Sequence, residues 1–201
     1  MNALFENNID KQELRWIRKA KKGNHKAFER LVVKYQKQIY FAVRKIVLDH
    51  DDATDIVQES FVKAYKNMGR FDEQYPFYPW LFRIAVNTSL NYQQKISRQR
   101  ETFVKQNDEE INQLSASNGN PLEQALQTEL EEKIANAIAA LPFDQRLVFI
   151  LKTSEDLSYQ EISEQLEISP GTVMSRLSRA RGKLIELLQP YLTSIDGEVK
   201  K

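Results

Sequence analysis

The chain has 201 residues, 41% of them hydrophobic and 28% charged, with no cysteine; this leaves room for one or two domains and excludes disulfides, thiolate metal sites and thiol nucleophiles. No apolar run approaches the roughly 18 residues that cross a bilayer, no secretory signal opens the chain, and neither a Walker A nor a dinucleotide glycine pattern occurs, so the expectation is a cytoplasmic protein with no membrane insertion and no cofactor. The net charge of +1 is unevenly spread: residues 1–100 hold 19 Lys and Arg against 11 Asp and Glu, residues 101–132 hold Lys105 against eight acids, and residues 133–201 balance at nine each.

Nearly every ordered stretch has helical period. Leu14, Ile17 and Arg18 begin a short amphipathic helix that ends near Gly23. Phe28, Leu31, Val32, Tyr35, Ile39, Val43 and Ile46 form a long apolar stripe at three-four spacing. Asp51 and Asp52 suit the positive N-terminal end of the next helix, which Ile56, Val57, Phe61 and Tyr65 carry to Gly69. Residues 71–79, with Pro76 and Pro79, read as irregular; a fourth helix then carries Trp80, Leu81, Ile84, Ala85 and Leu90. Residues 101–121 lose the pattern and read as a polar, acidic linker, closed by the turn signal Asn118-Gly119-Asn120-Pro121.

Helical period resumes through Leu122, Leu126, Leu130, Ile134, Ile138 and Leu141, and Pro142 restarts the chain before Leu147, Val148, Ile150 and Leu151. Ser158-Tyr159-Gln160-Glu161 is a capping box that opens a short helix with Ile162 and Leu166 on one face. Ser169-Pro170 opens a second helix, a hydroxyl cap followed by proline where the missing N–H costs nothing. Val173, Leu177 and Leu184 face inward; Thr172, Ser175, Arg176, Arg179 and Lys183 are left outward. Such a capped pair has the form of a helix-turn-helix that enters a major groove, although a helical hairpin without DNA is its plain alternative. Pro190 is expected to end this helix. The predicted fold is all-α: two small helical domains, 1–100 and 122–190, joined by the acidic linker 101–121 and followed by a tail, 191–201.

Two further groups stand out. In the group Asp52, Asp55, Gln58 and Glu59, spacings of three and four place much of the set on one helical surface, where like charges repel by a few tenths of a kcal/mol per pair. They form a solvated face, meet a basic partner helix or bind a metal; no histidine other than His50 lies at ligand spacing, which disfavours the last. From Tyr75 to Tyr92, aromatic rings interleave with Arg83, Asn87, Thr88, Ser89 and Asn91, and Lys95, Arg98 and Arg100 follow. Rings stack on unstacked bases, amides read their edges and cations hold the backbone, whereas Phe77, Trp80 and Phe82 also suit a core. A basic N-terminal half is what phosphate neutralisation needs, or it merely solubilises a helical surface. No catalytic triad, carboxylate pair or nucleotide cradle is present.

Asp52-Ala53-Thr54-Asp55-Ile56-Val57-Gln58-Glu59-Ser60-Phe61, then Phe77-Tyr78-Pro79-Trp80-Leu81-Phe82-Arg83-Ile84-Ala85-Val86-Asn87-Thr88, then an acidic linker and a helix-turn-helix, follow in that order. The combination closely resembles the extracytoplasmic-function sigma factors of bacterial RNA polymerase, nearest to the sigma-E-like group, over about residues 10–190. The resemblance implies a sigma region 2 bundle at 1–100, which binds core polymerase and recognises and melts the −10 element. It implies a region 4 helix-turn-helix at 122–190 that reads the −35 duplex. Asp52, Asp55, Gln58 and Glu59 match the segment that docks on the β′ clamp coiled coil, and region 4 would meet the β flap. Phe71, Tyr75 and Phe77 fall in the loop that captures a flipped base, Asn87 lines that pocket, and Lys95, Arg98 and Arg100 hold upstream phosphates. Met174, Ser175, Ser178 and Arg179 match positions facing −35 base edges, with Thr172 and Arg176 on phosphates.

The resemblance also implies a cognate anti-sigma factor, a stress or envelope-response regulon, and neither cofactor nor catalytic residue. The sequence departs from the group in two places. Its loop reads Phe71-Asp72-Glu73-Gln74-Tyr75-Pro76 where an arginine and a glycine are usual, and Met174 and Ser178 replace an arginine and an aromatic. The captured base and the −35 sequence therefore do not transfer from the group. The rival reading is a stand-alone helix-turn-helix regulator that binds operators.

Overall fold

The structure, a computed structural model, describes residues 10–104 and 129–198, the side chains of 100–104, 129–130 and 192–198 excepted. Its described residues form α1 (Lys11–Lys21), α2 (His25–Val47), α3 (His50–Asn67), a 3₁₀ turn (Met68–Arg70), α4 (Phe77–Val104), α5 (Glu129–Ala139), α6 (Phe143–Thr153), α7 (Tyr159–Leu166) and α8 (Pro170–Glu198). No strand occurs among them. The chain divides into two compact units. One takes α1, α2 as far as Arg44, and Asp51 through α4; the other takes Lys45–His50 and α5–α8. The expected turn at Asn118–Pro121, most of the acidic linker, and Leu122 and Leu126 lie outside the described residues.

The first unit is a helical bundle around the predicted stripe. Leu31, Ile39 and Val43 of α2 are fully buried, as are Ala53, Ile56 and Ala64 of α3 and Leu81, Ala85 and Val86 of α4. Local signals set the helix starts. The Asp10 carboxylate accepts from the Gln12 amide at 2.9 Å and the Asn24 side chain from the Ala27 amide at 2.9 Å, so each caps a helix. Gly23 between them sits at φ 85°, a conformation that glycine adopts at no steric cost. Glu13 is buried within α1 and accepts from Tyr35 Oη at 2.7 Å and from the Lys34 ammonium, which joins α1 to α2.

Three boundaries differ from expectation. The irregular segment stops at Pro76, because α4 begins at Phe77 with Pro79 in its first turn, where amides have no intrahelical acceptor to lose. The same helix runs past residue 100 to Val104, since no proline or glycine interrupts it. Pro190 does not end α8, which continues to Glu198. An interior proline costs about 3 kcal/mol. Here contacts on both sides of it oppose that cost: Leu187 and Leu188 pack on the cluster of Ala137, Leu141, Ala180 and Leu184, and the Lys133 ammonium lies 4.8 Å from the Tyr191 ring centre.

The second unit closes around Leu147, Val148, Leu151, Ile162, Val173 and Leu177, all nearly inaccessible. Arg146 is buried, and its guanidinium donates to the carbonyls of Ala139 (3.1 Å) and Leu141 (2.7 Å), which serves the exposed end of α5. Both predicted caps of the helix-turn-helix form. Ser158 Oγ accepts from the Glu161 amide at 3.2 Å, the Glu161 carboxylate accepts from the Ser158 amide at 2.7 Å, and Ser169 Oγ accepts from the Thr172 amide at 3.1 Å. Between the helices, Glu167 takes the left-handed conformation at φ 54°, and buried Ser163 donates its hydroxyl to the Ile168 carbonyl at 2.6 Å.

Ser158→Ala is expected to destabilise the helix-turn-helix by about 1 kcal/mol, measured by urea unfolding followed by circular dichroism. The hydrogen bonds from Ser158 hold the Glu161 carboxyl below its usual range. A carboxyl that titrates lower in the folded chain contributes stability that is whole above the ordinary carboxylate range and is lost as pH falls through it. Wild type is therefore expected to exceed Glu161→Gln in stability near neutrality, and the gap is expected to close in acid.

Candidate nucleic-acid interface

On α3, residues 51, 55, 58, 59, 62 and 66 recur at three-four spacing and are all exposed, so Asp51, Asp55, Gln58, Glu59, Val62 and Lys66 occupy one face. Asp52 stands apart from it: it is half-buried and its carboxylate accepts a hydrogen bond from the Tyr92 hydroxyl of α4. Asp52 therefore joins α3 to α4 and lies beside the exposed acidic set. Glu59 pairs with Lys63 at 2.7 Å, and Lys63 also donates to buried Thr88 of α4 at 3.2 Å. Val62, 51% exposed, was missed by the sequence reading. Its signal was its register, three residues beyond Glu59 on the same face. Among the described residues no group of three or more histidine, aspartate and glutamate side chains is placed to hold a metal.

The segment before α4 is built on aromatic packing. Phe71 lies 5.5 Å from Phe77 and 5.0 Å from Trp80, ring centre to ring centre, and Phe77 lies 5.6 Å from Tyr35. Phe71 is 3% exposed and Phe77 1%. In the free chain these two rings are buried and form the floor under the loop. The alternating aromatics 71 and 77 bury because they back the loop against α2 and α4. Tyr75, in contrast, is 65% exposed. Along α4, positions 83, 87, 91, 94, 95 and 98 are exposed. Arg83, Asn87, Asn91, Gln94, Lys95 and Arg98 thus make a polar, cationic stripe about 22 Å long at 1.5 Å per residue, opposite Leu81, Ala85 and Ser89. The side chain of Arg100 lies outside the described residues.

The recognition helix, the N-terminal part of α8, divides its predicted contacts into two groups. Met174 (55% exposed), Ser178 and Arg179 face outward. Arg181 joins them, at seven residues from Met174, a spacing that the sequence reading passed over. Thr172 and Ser175 are half-buried and bonded within the helix: the Thr172 hydroxyl lies 2.9 Å from Ser169 Oγ, and Ser175 Oγ donates to the Thr172 carbonyl at 3.1 Å. Arg176 pairs with Asp144 of α6 at 2.7 Å, its side chain 25% exposed. In the free chain that guanidinium braces α8 against α6.

Two family models match the chain: Sigma-70 region 2 over residues 31–99 and Sigma-70, region 4 over residues 131–184. The ECF RNA polymerase sigma-E factor of Escherichia coli (strain K12) is 35% identical over 186 residues, 88% of this chain and 94% of that protein. The chain belongs to the extracytoplasmic-function RNA polymerase sigma factors. The RNA polymerase sigma-H factor of Pseudomonas aeruginosa is 34% identical over 187 residues, covering 90% of this sigma factor and 96% of that one. Among solved structures, the sigma factor RpoE of Bartonella quintana, co-crystallised with the anti-sigma factor NepR, is similar with a TM-score of 0.61 and 29% identity over 82% of this chain and 98% of that one. CnrH, in complex with the cytosolic domain of CnrY, gives a TM-score of 0.57 and 25% identity over 89% of this chain and 98% of that one.

In this sigma factor the Asp144–Arg176 pair joins two helices of region 4 at a half-exposed site, where such pairs contribute about 0.2–1 kcal/mol. Asp144→Asn is expected to lower region 4 stability by no more than that, with the loss shrinking at high salt, measured by chemical unfolding at two ionic strengths.

Proposed function

We propose that this sigma factor is a promoter-specificity subunit whose two units divide the work. The exposed acidic face of α3, Asp55, Gln58 and Glu59 with Val62 at its C-terminal end, docks on a basic coiled coil of the polymerase clamp. The α4 stripe of Asn87, Lys95 and Arg98 follows the backbone of the −10 element, and Tyr75 stacks on an unpaired base there. Stacking on one ring contributes roughly 1–3 kcal/mol per base, comparable to the few kcal/mol that extruding a nucleotide costs. Met174, Ser178, Arg179 and Arg181 read the −35 duplex, and region 4 also meets the β flap. This role asks no covalent chemistry of the chain.

The α3 face is the observation that carries the reading. A stand-alone operator-binding regulator has no use for a carboxylate surface with an exposed valine at its C-terminal end, whereas a partner helix bearing lysines and arginines covers both. Control by an anti-sigma factor is part of the proposal, supported by RpoE and CnrH, whose structures were solved bound to NepR and to the cytosolic domain of CnrY. So is action in the cytoplasm; among the described residues no helix is long and apolar enough to cross a membrane.

Transcription with purified core polymerase separates the readings, because a sigma factor confers initiation on core alone and a regulator requires holoenzyme. Asp55→Arg is expected to weaken core binding at least tenfold in a pull-down titration with an unchanged melting curve; unaltered affinity would count against the docking face. Arg179→Ala is expected to lose roughly 1–3 kcal/mol of discrimination at a single −35 position, scored by binding to a panel of substituted duplexes. An equal loss on every sequence would place that guanidinium on phosphate.

A further inference from the structure

The loop that departs from the sigma-E-like pattern is fastened to α1. The Glu73 carboxylate lies 2.7 Å from Arg18 Nε and 3.4 Å from Lys21 Nζ. Lys21 also donates to the Phe71 carbonyl at 2.9 Å, so one ammonium holds both the side chain and the backbone of the loop. Arg18 and Lys21 are three residues apart and share a helical face. That helix is itself locked to α2 through buried Glu13, which bonds Tyr35, and the Tyr35 ring packs on Phe77 beneath the loop. The second loop acid is also engaged: the Asp72 carboxylate accepts from the Gln74 amide at 3.0 Å and the Asp72 carbonyl from the Tyr75 amide at 3.2 Å, which closes a turn. Two acids that would repel a phosphate backbone thereby have partners within the chain, Asp72 at an exposed turn and Glu73 at a half-buried one, and Tyr75 is left at the exposed edge.

We propose that Glu73 is a positioning residue for strand opening, which with Arg18 and Lys21 anchors the loop to α1 so that Tyr75 is held where the extruded base arrives. The proposal rests on the sigma-factor reading above. A loop held in its binding conformation has less freedom to lose when the base docks, and capture is faster for it. The anchor belongs to α1, so residues outside the matched region 2 segment tune −10 recognition in this chain.

Two measurements test it. Hydrogen exchange reads the anchor directly and without promoter DNA: the amides of Gln74 and Tyr75 are expected to exchange several-fold faster in Glu73→Gln, and faster again in Lys21→Met. Equal exchange in wild type and both variants overturns the anchor. Open-complex formation by holoenzyme reads its use, with 2-aminopurine as the probe in the melted stretch of a promoter found by transcript-start mapping. Glu73→Gln is expected to slow opening roughly fivefold at low salt, less at high salt, with core affinity unchanged. The charge-swapped pair Arg18→Glu with Glu73→Arg is expected to recover most of the rate, which a variant that merely unfolds the unit would not do. Opening at the wild-type rate by Glu73→Gln, or no recovery in the swap, overturns the positioning role. A wild-type chain that opens no promoter with core overturns the sigma reading and this role together, while the exchange result still judges the anchor by itself.

Discussion

The ring cluster of buried Tyr35, Phe77 and Phe71 with half-buried Trp80 is the constraint on which the first unit depends. Each contact joins a different part of the chain: Tyr35 from α2, Phe71 from the segment after the 3₁₀ turn, Phe77 and Trp80 from the start of α4. Aromatic side chains bury large areas; Phe71 meets Phe77 edge to face, and the other pairs meet at tilts of 41–53°. Once Phe71 and Phe77 are fixed, the five residues between them have little choice of path, and the loop must emerge beside α1. The Tyr35 hydroxyl extends the same constraint to Glu13, so one side chain ties α2 to α1 by a polar bond and to the start of α4 by its ring. Burial beside that carboxylate pushes the Tyr35 phenol well above its usual range, which keeps it protonated as the donor.

Much of this architecture was legible in the sequence because it rests on local chemistry. The capping box at Ser158–Glu161 and the Ser169-Pro170 start need only neighbouring residues, and both form as read. The apolar stripe of α2 and the inward Val173, Leu177 and Leu184 follow from period alone, and burial agrees with them. The boundaries were less legible. Pro79 and Pro190 carry the same chemical signal in a sequence, yet one sits harmlessly in a first turn and the other is overridden by packing on both sides.

The candidate surfaces were legible in outline and less so in membership. Residue type and spacing located them, but which members are spent on internal bonds depends on partners distant in the chain. Asp52 is engaged by Tyr92, Arg176 by Asp144 and Glu73 by Arg18, over separations of 40, 32 and 55 residues that no local pattern encodes. Val62 and Arg181 were both legible by register: Val62 was passed over because an apolar side chain did not match the acidic chemistry sought beside it, and Arg181 was passed over although its residue type did match.

The brace from Arg176 to Asp144 has a consequence for how such proteins diversify. The seating of the recognition helix is carried by Val173, Leu177 and this ion pair, on the side turned toward the rest of its unit. The outward positions 174, 178, 179 and 181 bear none of that burden. On the proposed reading of these positions as the −35 contacts, sequence preference can drift by exchanging those four letters while the scaffold beneath them stays intact, so a lineage can acquire new target genes without first rebuilding the domain that finds them.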